Sequence, residues 1–191
     1  KNTLAEASYL DAIREDDRLH AAHFNLGVVL QNLGRYEEAE ASYRQATILR
    51  PDYEAAFAGL GTLQSLMGKL EASRTNFGRA IEIKSDFPEA FLGLGVTLKL
   101  LGHFDEAEIA FKKALDLRSN YAEASANLGN LYNEKGNLNS AAKYFETALE
   151  IKPDFAEALC NYGSVLRQLN RLQEAEASYR KSLEIKPEFP D

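Results

Sequence analysis

Small and bulky residues recur along this chain at a fixed step of 34 residues. Gly27, Gly61, Gly95, Gly129 and Gly163 stand on that step, and each follows a large apolar residue, Leu26, Leu60, Leu94, Leu128 or Tyr162. The same step links Ala39, Ser73, Ala107, Ala141 and Ala175. It also links the rings of Tyr43, Phe77, Phe111, Phe145 and Tyr179, and then Ala46, Ala80, Ala114, Ala148 and Ser182. A bundle around one central core has no reason to hold such a register. Stacked repeats do, because each copy buries its apolar face against its neighbours.

Each copy reads as two helices. In the fourth, helix A is predicted over 122–135 and helix B over 138–151. A short polar residue three before a carboxylate predicts a capping box at Asn120 with Glu123, Asp86 with Glu89 and Asp154 with Glu157. Gly34, Gly68, Gly102 and Gly136 are placed to end helix A in the left-handed conformation, with Asn170 in that role in the fifth copy. Helix B closes on a cation (Arg50, Lys84, Arg118, Lys152 or Lys186) that complements the negative end of the helix dipole. Pro51, Pro153 and Pro187 follow three of these and block continuation. A glycine inside a helix costs about 0.5–1 kcal/mol relative to alanine. Its recurrence therefore predicts close helix approach, with Phe145 and Ala148 as the partners of Gly129 and roughly 1.5–3 kcal/mol contributed by each buried Leu or Phe.

The 191 residues are 45% hydrophobic and 27% charged, the balance of a folded domain rather than a disordered one. No apolar run approaches the ~20 residues that cross a bilayer, so no membrane association is expected. The start, KNTLAEASYLDAI, has neither a Met nor the basic-then-apolar plan of a signal peptide. The net charge of −7 and the single or paired spacing of Lys and Arg argue against a nucleic-acid partner. Cys160 is the only cysteine, which excludes an internal disulfide and fits a reducing, cytoplasmic location.

Residues 20–53, 54–87, 88–121, 122–155 and 156–189 resemble tetratricopeptide repeats. They depart from that pattern at Tyr162, Asn170, Ser85 and Ser119. The resemblance implies an all-α fold, a right-handed superhelical α-solenoid of helix-turn-helix repeats, forming a single array over 1–191. Residues 1–19 supply helix B of a partial repeat, with Ala5, Tyr9 and Ala12 in register, and 190–191 begin another. Repeat arrays usually need a polar capping helix over their last apolar face. The chain carries none, so it reads as an excerpt of a longer array or as one whose open ends self-associate.

The same resemblance implies a function: a scaffold that holds a protein or an extended peptide on a concave face lined by A helices. Just before the apolar residue and its glycine stand Asn25, Gly59, Gly93, Asn127 and Asn161. An asparagine amide donates and accepts at once, matching a peptide backbone. The array is similar in this respect to the repeat region of O-linked N-acetylglucosamine transferases, although Gly59 and Gly93 interrupt the ladder. Other ligand positions of the family fall on Phe24 and Val28, on Leu92, Val96 and Lys99, on Asn130, and on Ser164 and Arg167. The front of this strip is apolar and the back is polar and mildly acidic. The Lys, Asn and Arg clamp of chaperone-docking members is replaced by Phe24, Val28, Gly59, Glu89 and Gly93, which disfavours heat-shock-protein tails. An alternative is the substrate-recruiting arm of a larger glycosyltransferase or sulfotransferase.

Enzyme chemistry within the chain is not expected. His20 and His23 share a helical face, with Asp16 or Asp17 the nearest third ligand, but histidines beside a helix start are far commoner as surface residues. His103 stands alone in a turn. Cys160 has no histidine in its own or the neighbouring repeats to activate it. No glycine loop of the phosphate-cradling kind occurs, and no cofactor or metal is implied.

Overall fold

The computed structural model describes residues 2–187, which form eleven α-helices and no strand among the described residues. They fall into two compact units, Lys1–Gly102 and His103–Asp191. In the first, α1 (Asn2–Glu15) precedes the helix pairs α2 (His20–Asn32) with α3 (Tyr36–Leu49) and α4 (Glu54–Leu66) with α5 (Leu70–Ile83), and α6 (Pro88–Leu100) closes the unit. In the second, α7 (Phe104–Leu117) precedes α8 (Ala122–Glu134) with α9 (Leu138–Ile151) and α10 (Ala156–Gln168) with α11 (Leu172–Ile185). The expected start of a further repeat at 190–191, and the last residues of 156–189, lie outside the described residues.

Helix A ends where the glycines predict. Gly34, Gly68, Gly102 and Gly136 have φ of 76°, 72°, 80° and 75°, and Asn170 has 61°. Its amide side chain makes Asn the residue that best tolerates this region after glycine. The tight turn returns helix B along helix A, and each B helix then packs on the A helix that follows it.

The glycines inside helix A are set against rings of helix B in the same repeat. A Cβ on Gly27 would lie 2.8 Å from the ring of Tyr43, on Gly61 3.0 Å from Phe77, on Gly129 2.9 Å from Phe145 and on Gly163 2.9 Å from Tyr179. The rings of Tyr43, Phe77 and Phe145, with Ala39, Ala46, Ala80, Ala141 and Ala148, form the buried spine of the two units, while Tyr179 is half-buried. The ring reaches further than the repeat pattern alone indicates. It also meets the next A helix, where a Cβ on Gly59 would stand 3.0 Å from Tyr43 and one on Gly93 would collide with Phe77.

The capping boxes do not form. Helices α6, α8 and α10 begin at Pro88, Ala122 and Ala156. Their cap positions are Phe87, Tyr121 and Phe155, none with a side-chain cap bond. Asp86, Asn120 and Asp154 therefore stand one residue too early. The physical reason is the aromatic ring at the cap, which the preceding helix-end cation covers. Lys84 lies 5.4 Å from the Phe87 ring centre, Arg118 4.7 Å from Tyr121, Lys152 4.7 Å from Phe155, and Arg50 5.2 Å from Tyr53. A cation over a ring is worth about 0.5–1 kcal/mol at an exposed site, comparable with a capping bond. Among the described helix starts the side-chain cap is Asn137, which accepts from the Ser140 amide at 3.2 Å at the start of α9.

Within each unit, successive A helices touch: α2 with α4, α4 with α6, and α8 with α10. The B helices α3 and α5, or α9 and α11, do not. The A-helix side is thus the tighter, inner side of each unit.

Candidate functional site

The inner wall of the first unit carries a cavity of about 310 Å³ between α4 and α6. Thr62, Ser65 and Leu66 line it from α4, and Glu89, Leu92, Gly93 and Val96 from α6, while the ring of Phe77 forms its floor. The opening exists because residue 93 has no side chain: anything larger would occupy the space over the ring. Gly59 and Gly93 are therefore more than gaps in an asparagine ladder. They admit the ring of the preceding repeat to the inner surface. Two of the anticipated residues, Leu92 and Val96, lie in this pocket, both half-buried. Leu66, at the end of α4, extends the apolar wall and is 60% exposed. Lys99 is half-buried on α6.

Phe24 and Val28 sit elsewhere in that unit. Phe24 packs against the rings of Tyr43 and Tyr53 at 5.7 and 5.3 Å, and both residues border the core cluster built on Leu26, Leu30 and Tyr43. Asn25 lies beside them on α2, half-buried. The Tyr43 hydroxyl, pushed up to about 12 by burial, donates to Gln31 at 3.0 Å.

In the second unit the asparagines bond to the protein itself. Asn127 donates from Nδ2 to the Glu123 carbonyl of its own helix at 2.8 Å. Asn161 donates to Oδ1 of Asn130 at 3.0 Å, which joins α10 to α8. Gln168 donates to Asn133 at 3.2 Å in the same way. Ser164 is half-buried on α10, with its carbonyl accepting a weak bond from Gln168 at 3.4 Å. Arg167 is exposed and faces the side of α11, lining a second cavity with Leu172 and Tyr179.

Residue-pattern reasoning missed a set of charged junctions. The Glu40 carboxylate on α3 is nearly buried and accepts from Lys69 at 2.6 Å, Arg44 at 2.8 Å and Gln64 at 3.1 Å. These donors, Lys69 first, hold its pKa down at about 2. Glu108 on α7 repeats the device, accepting from Lys112 at 2.8 Å, Tyr132 at 2.6 Å and Lys135 at 2.9 Å, and is likewise held down at about 2, with Lys112 the main cause. Glu6 with Arg35, at 2.6 Å, and Glu146 with Arg171, at 3.9 Å, make the same link from a B helix to the turn of the next repeat. The signal was present in the spacing: Glu6, Glu40 and Glu108 stand on the 34-residue register.

His23 meets the Asp17 carbonyl at 3.1 Å, and His20 meets the ring of Tyr53 and the Arg50 guanidinium, so the two histidines turn to different partners. Among the described residues no three His, Cys, Asp or Glu side chains gather as a metal would need. No helix among them is long and apolar enough to cross a membrane.

Tetratricopeptide-repeat profiles match residues 20–53, 88–121 and 121–188. The chain belongs to the tetratricopeptide-repeat family. Its fold is that of several solved helical-repeat proteins. PilW, described as a widely conserved type IV pilus biogenesis factor, is 22% identical with a TM-score of 0.88 over 100% of this chain and 88% of its own. MamA is 22% identical with a TM-score of 0.73, over 85% of this chain and 95% of its own. YrrB, described as a TPR protein with an unusual peptide-binding site, is 23% identical with a TM-score of 0.69, over 94% and 93%. No curated protein sequence matches the chain.

Proposed function

We propose that this chain is a non-catalytic protein-interaction scaffold that holds an extended peptide or partner segment on its inner, A-helix side. The observation that carries this reading is the Phe77-floored pocket, which has room for one apolar side chain and opens on the inner face of the first unit. Leu66, Leu92 and Val96 supply its apolar wall, while Thr62 and Ser65 offer hydroxyls at the margin. Peptide binding by YrrB, a relative in fold, agrees with it. In the second unit the half-buried side-chain amides of Asn127 and Asn161, the counterparts of Asn25, donate to the Glu123 carbonyl and to Asn130, which fixes their orientation before a partner arrives. The acidic balance, −7 overall, favours neutral or basic partner segments over nucleic acid.

The test is a peptide selected on an array against the whole chain, followed by two substitutions at exposed positions. Leu66→Glu places a charge on the pocket wall, and Ile109→Glu places one on an exposed B-helix surface. Burying a Leu- or Phe-sized side chain contributes roughly 1.5–3 kcal/mol, so Leu66→Glu should weaken binding about ten- to hundredfold. Ile109→Glu should leave it unchanged. Equal affinities for the original and Leu66→Glu chains would sink the reading.

A further inference from the structure

We infer that the Phe77-floored pocket selects an aromatic side chain of the partner, and that Ala58 and Gly93 are the residues that set this selectivity. The inference rests on the inner-wall reading for its site and adds the chemistry of the occupant.

The chain itself shows what such a site takes. The junction one repeat earlier, between α2 and α4, is built on the same positions: Tyr43 stands where Phe77 does, Tyr53 where Phe87 does, and Gly59 where Gly93 does. There the ring of Phe24 lies against both Tyr43 and Tyr53, with centroids at 5.7 and 5.3 Å and tilts of 51° and 59°. Its edge comes within 3.4 Å of the place a Cβ on Gly59 would hold, so the glycine leaves the room that the ring uses.

In the next junction two of the three rings are kept and the third is missing. The counterpart of Phe24 is Ala58, which packs against the Phe77 cluster together with Phe87. Two further changes enlarge the opening. Gln31, which accepts from the Tyr43 hydroxyl at 3.0 Å, is replaced by Ser65, and Phe77 has no hydroxyl to offer. The chain's own side chains fill the first junction, whereas the second keeps about 310 Å³ open on the inner wall. What lines that space is the Phe77 ring, the backbone of Gly93 and the aliphatic Leu92 and Val96. An aliphatic side chain would fill part of it. A flat ring also gains the tilted ring-on-ring contact that Phe24 makes with Tyr43. Glu89 stands exposed at the mouth, in a chain of net charge −7, so the residues flanking the ring are neutral or basic.

The experiment uses the whole chain, with N-acetylphenylalanine methylamide as the probe and its leucine analogue as the control. Being uncharged, both read the pocket and not the flanking charge. Saturable binding in the millimolar range is expected, moving the amide NMR signals of Leu92, Gly93 and Val96. The leucine analogue should bind about two- to tenfold more weakly, the worth of one aromatic pair. Ala58→Phe supplies the ring from within. It should abolish these shifts without lowering the melting temperature, because Phe24 already shows the fit. No shift at Gly93, equal binding of the two probes, or an Ala58→Phe chain that still takes the probe would overturn the inference. So would an Ala58→Phe chain that melts well below the original. The underlying reading fails differently. A probe seated at Gly93 while no array peptide is bound would end the peptide reading and uphold the selectivity. A peptide weakened by Leu66→Glu yet indifferent to Ala58→Phe would uphold that reading and end this one.

Discussion

The ring of Phe77 touches two glycines of different repeats, Gly61 behind it and Gly93 ahead. That one side chain explains both why α6 has a glycine where α8 and α10 have asparagines and why a pocket opens there. Filling it is therefore costly. Gly93→Asn forces the ring out of its place, and overpacking of this kind costs typically 1–3 kcal/mol. We expect a melting temperature lower by several degrees, measured by circular dichroism. Gly59→Asn should cost less, because a Cβ there would stand 3.0 Å from Tyr43 and not in collision. Equal melts for Gly93→Asn and the original chain would contradict the packing described. The roles of Gly61 and Gly129 were legible from the register, since ring and glycine belong to one repeat. The role of Gly93 was not, because its partner comes from another.

At the scale of elements, the joints between a B helix and the following repeat are fastened by carboxylates. Glu40 ordinarily titrates at 4.5 and in the folded chain at about 2. The unfolded chain therefore takes up the proton first as the pH falls. The stabilisation is complete above about 4.5 and is lost between there and about 2. It amounts to at most about 3 kcal/mol, and nearer 1–2 once the exposure of Lys69 and Arg44 is allowed for. Glu40→Gln should lower the melting temperature at neutral pH, with the gap to the original chain closing as the pH approaches 2. Glu108→Gln should do the same for α7 and α8, since Glu108 is held at a similar value by Lys112, Tyr132 and Lys135. A gap that stays constant with pH would show that the carboxylates act only by packing. The helix ends taught a related lesson. The stops at Gly34 to Gly136 follow from local conformation and were plain in the residues. The starts were not, because a ring beneath the cation of the preceding helix takes the cap position that Asp86, Asn120 and Asp154 were expected to serve.

At the scale of the whole molecule, each unit is a row in which a helix is held by its immediate neighbours, so stability varies along the row. Helix α1 packs on α2 alone among the described residues, whereas α8 lies against α7, α9 and α10. Hydrogen exchange should open α1 well before α8, and amides of α8 such as Leu128 and Leu131, both fully buried, should exchange last. Exchange of α1 as slow as that of α8 would contradict this dependence on neighbours.

The amino-acid sequence by itself determined the period, the helix pairs, the turns that end each A helix and the glycine-to-ring contact inside a repeat. All of these depend on residues close together in the chain and on backbone conformation. Tertiary structure decided what happens between repeats: that Phe77 also reaches Gly93 and floors a pocket, that Asn161 bonds to Asn130, and that Glu40 and Glu108 collect cations from the next turn. Those contacts depend on how far one helix pair rotates on the last. That rotation is set by the fit of many side chains at once, and a repeat read alone does not contain it.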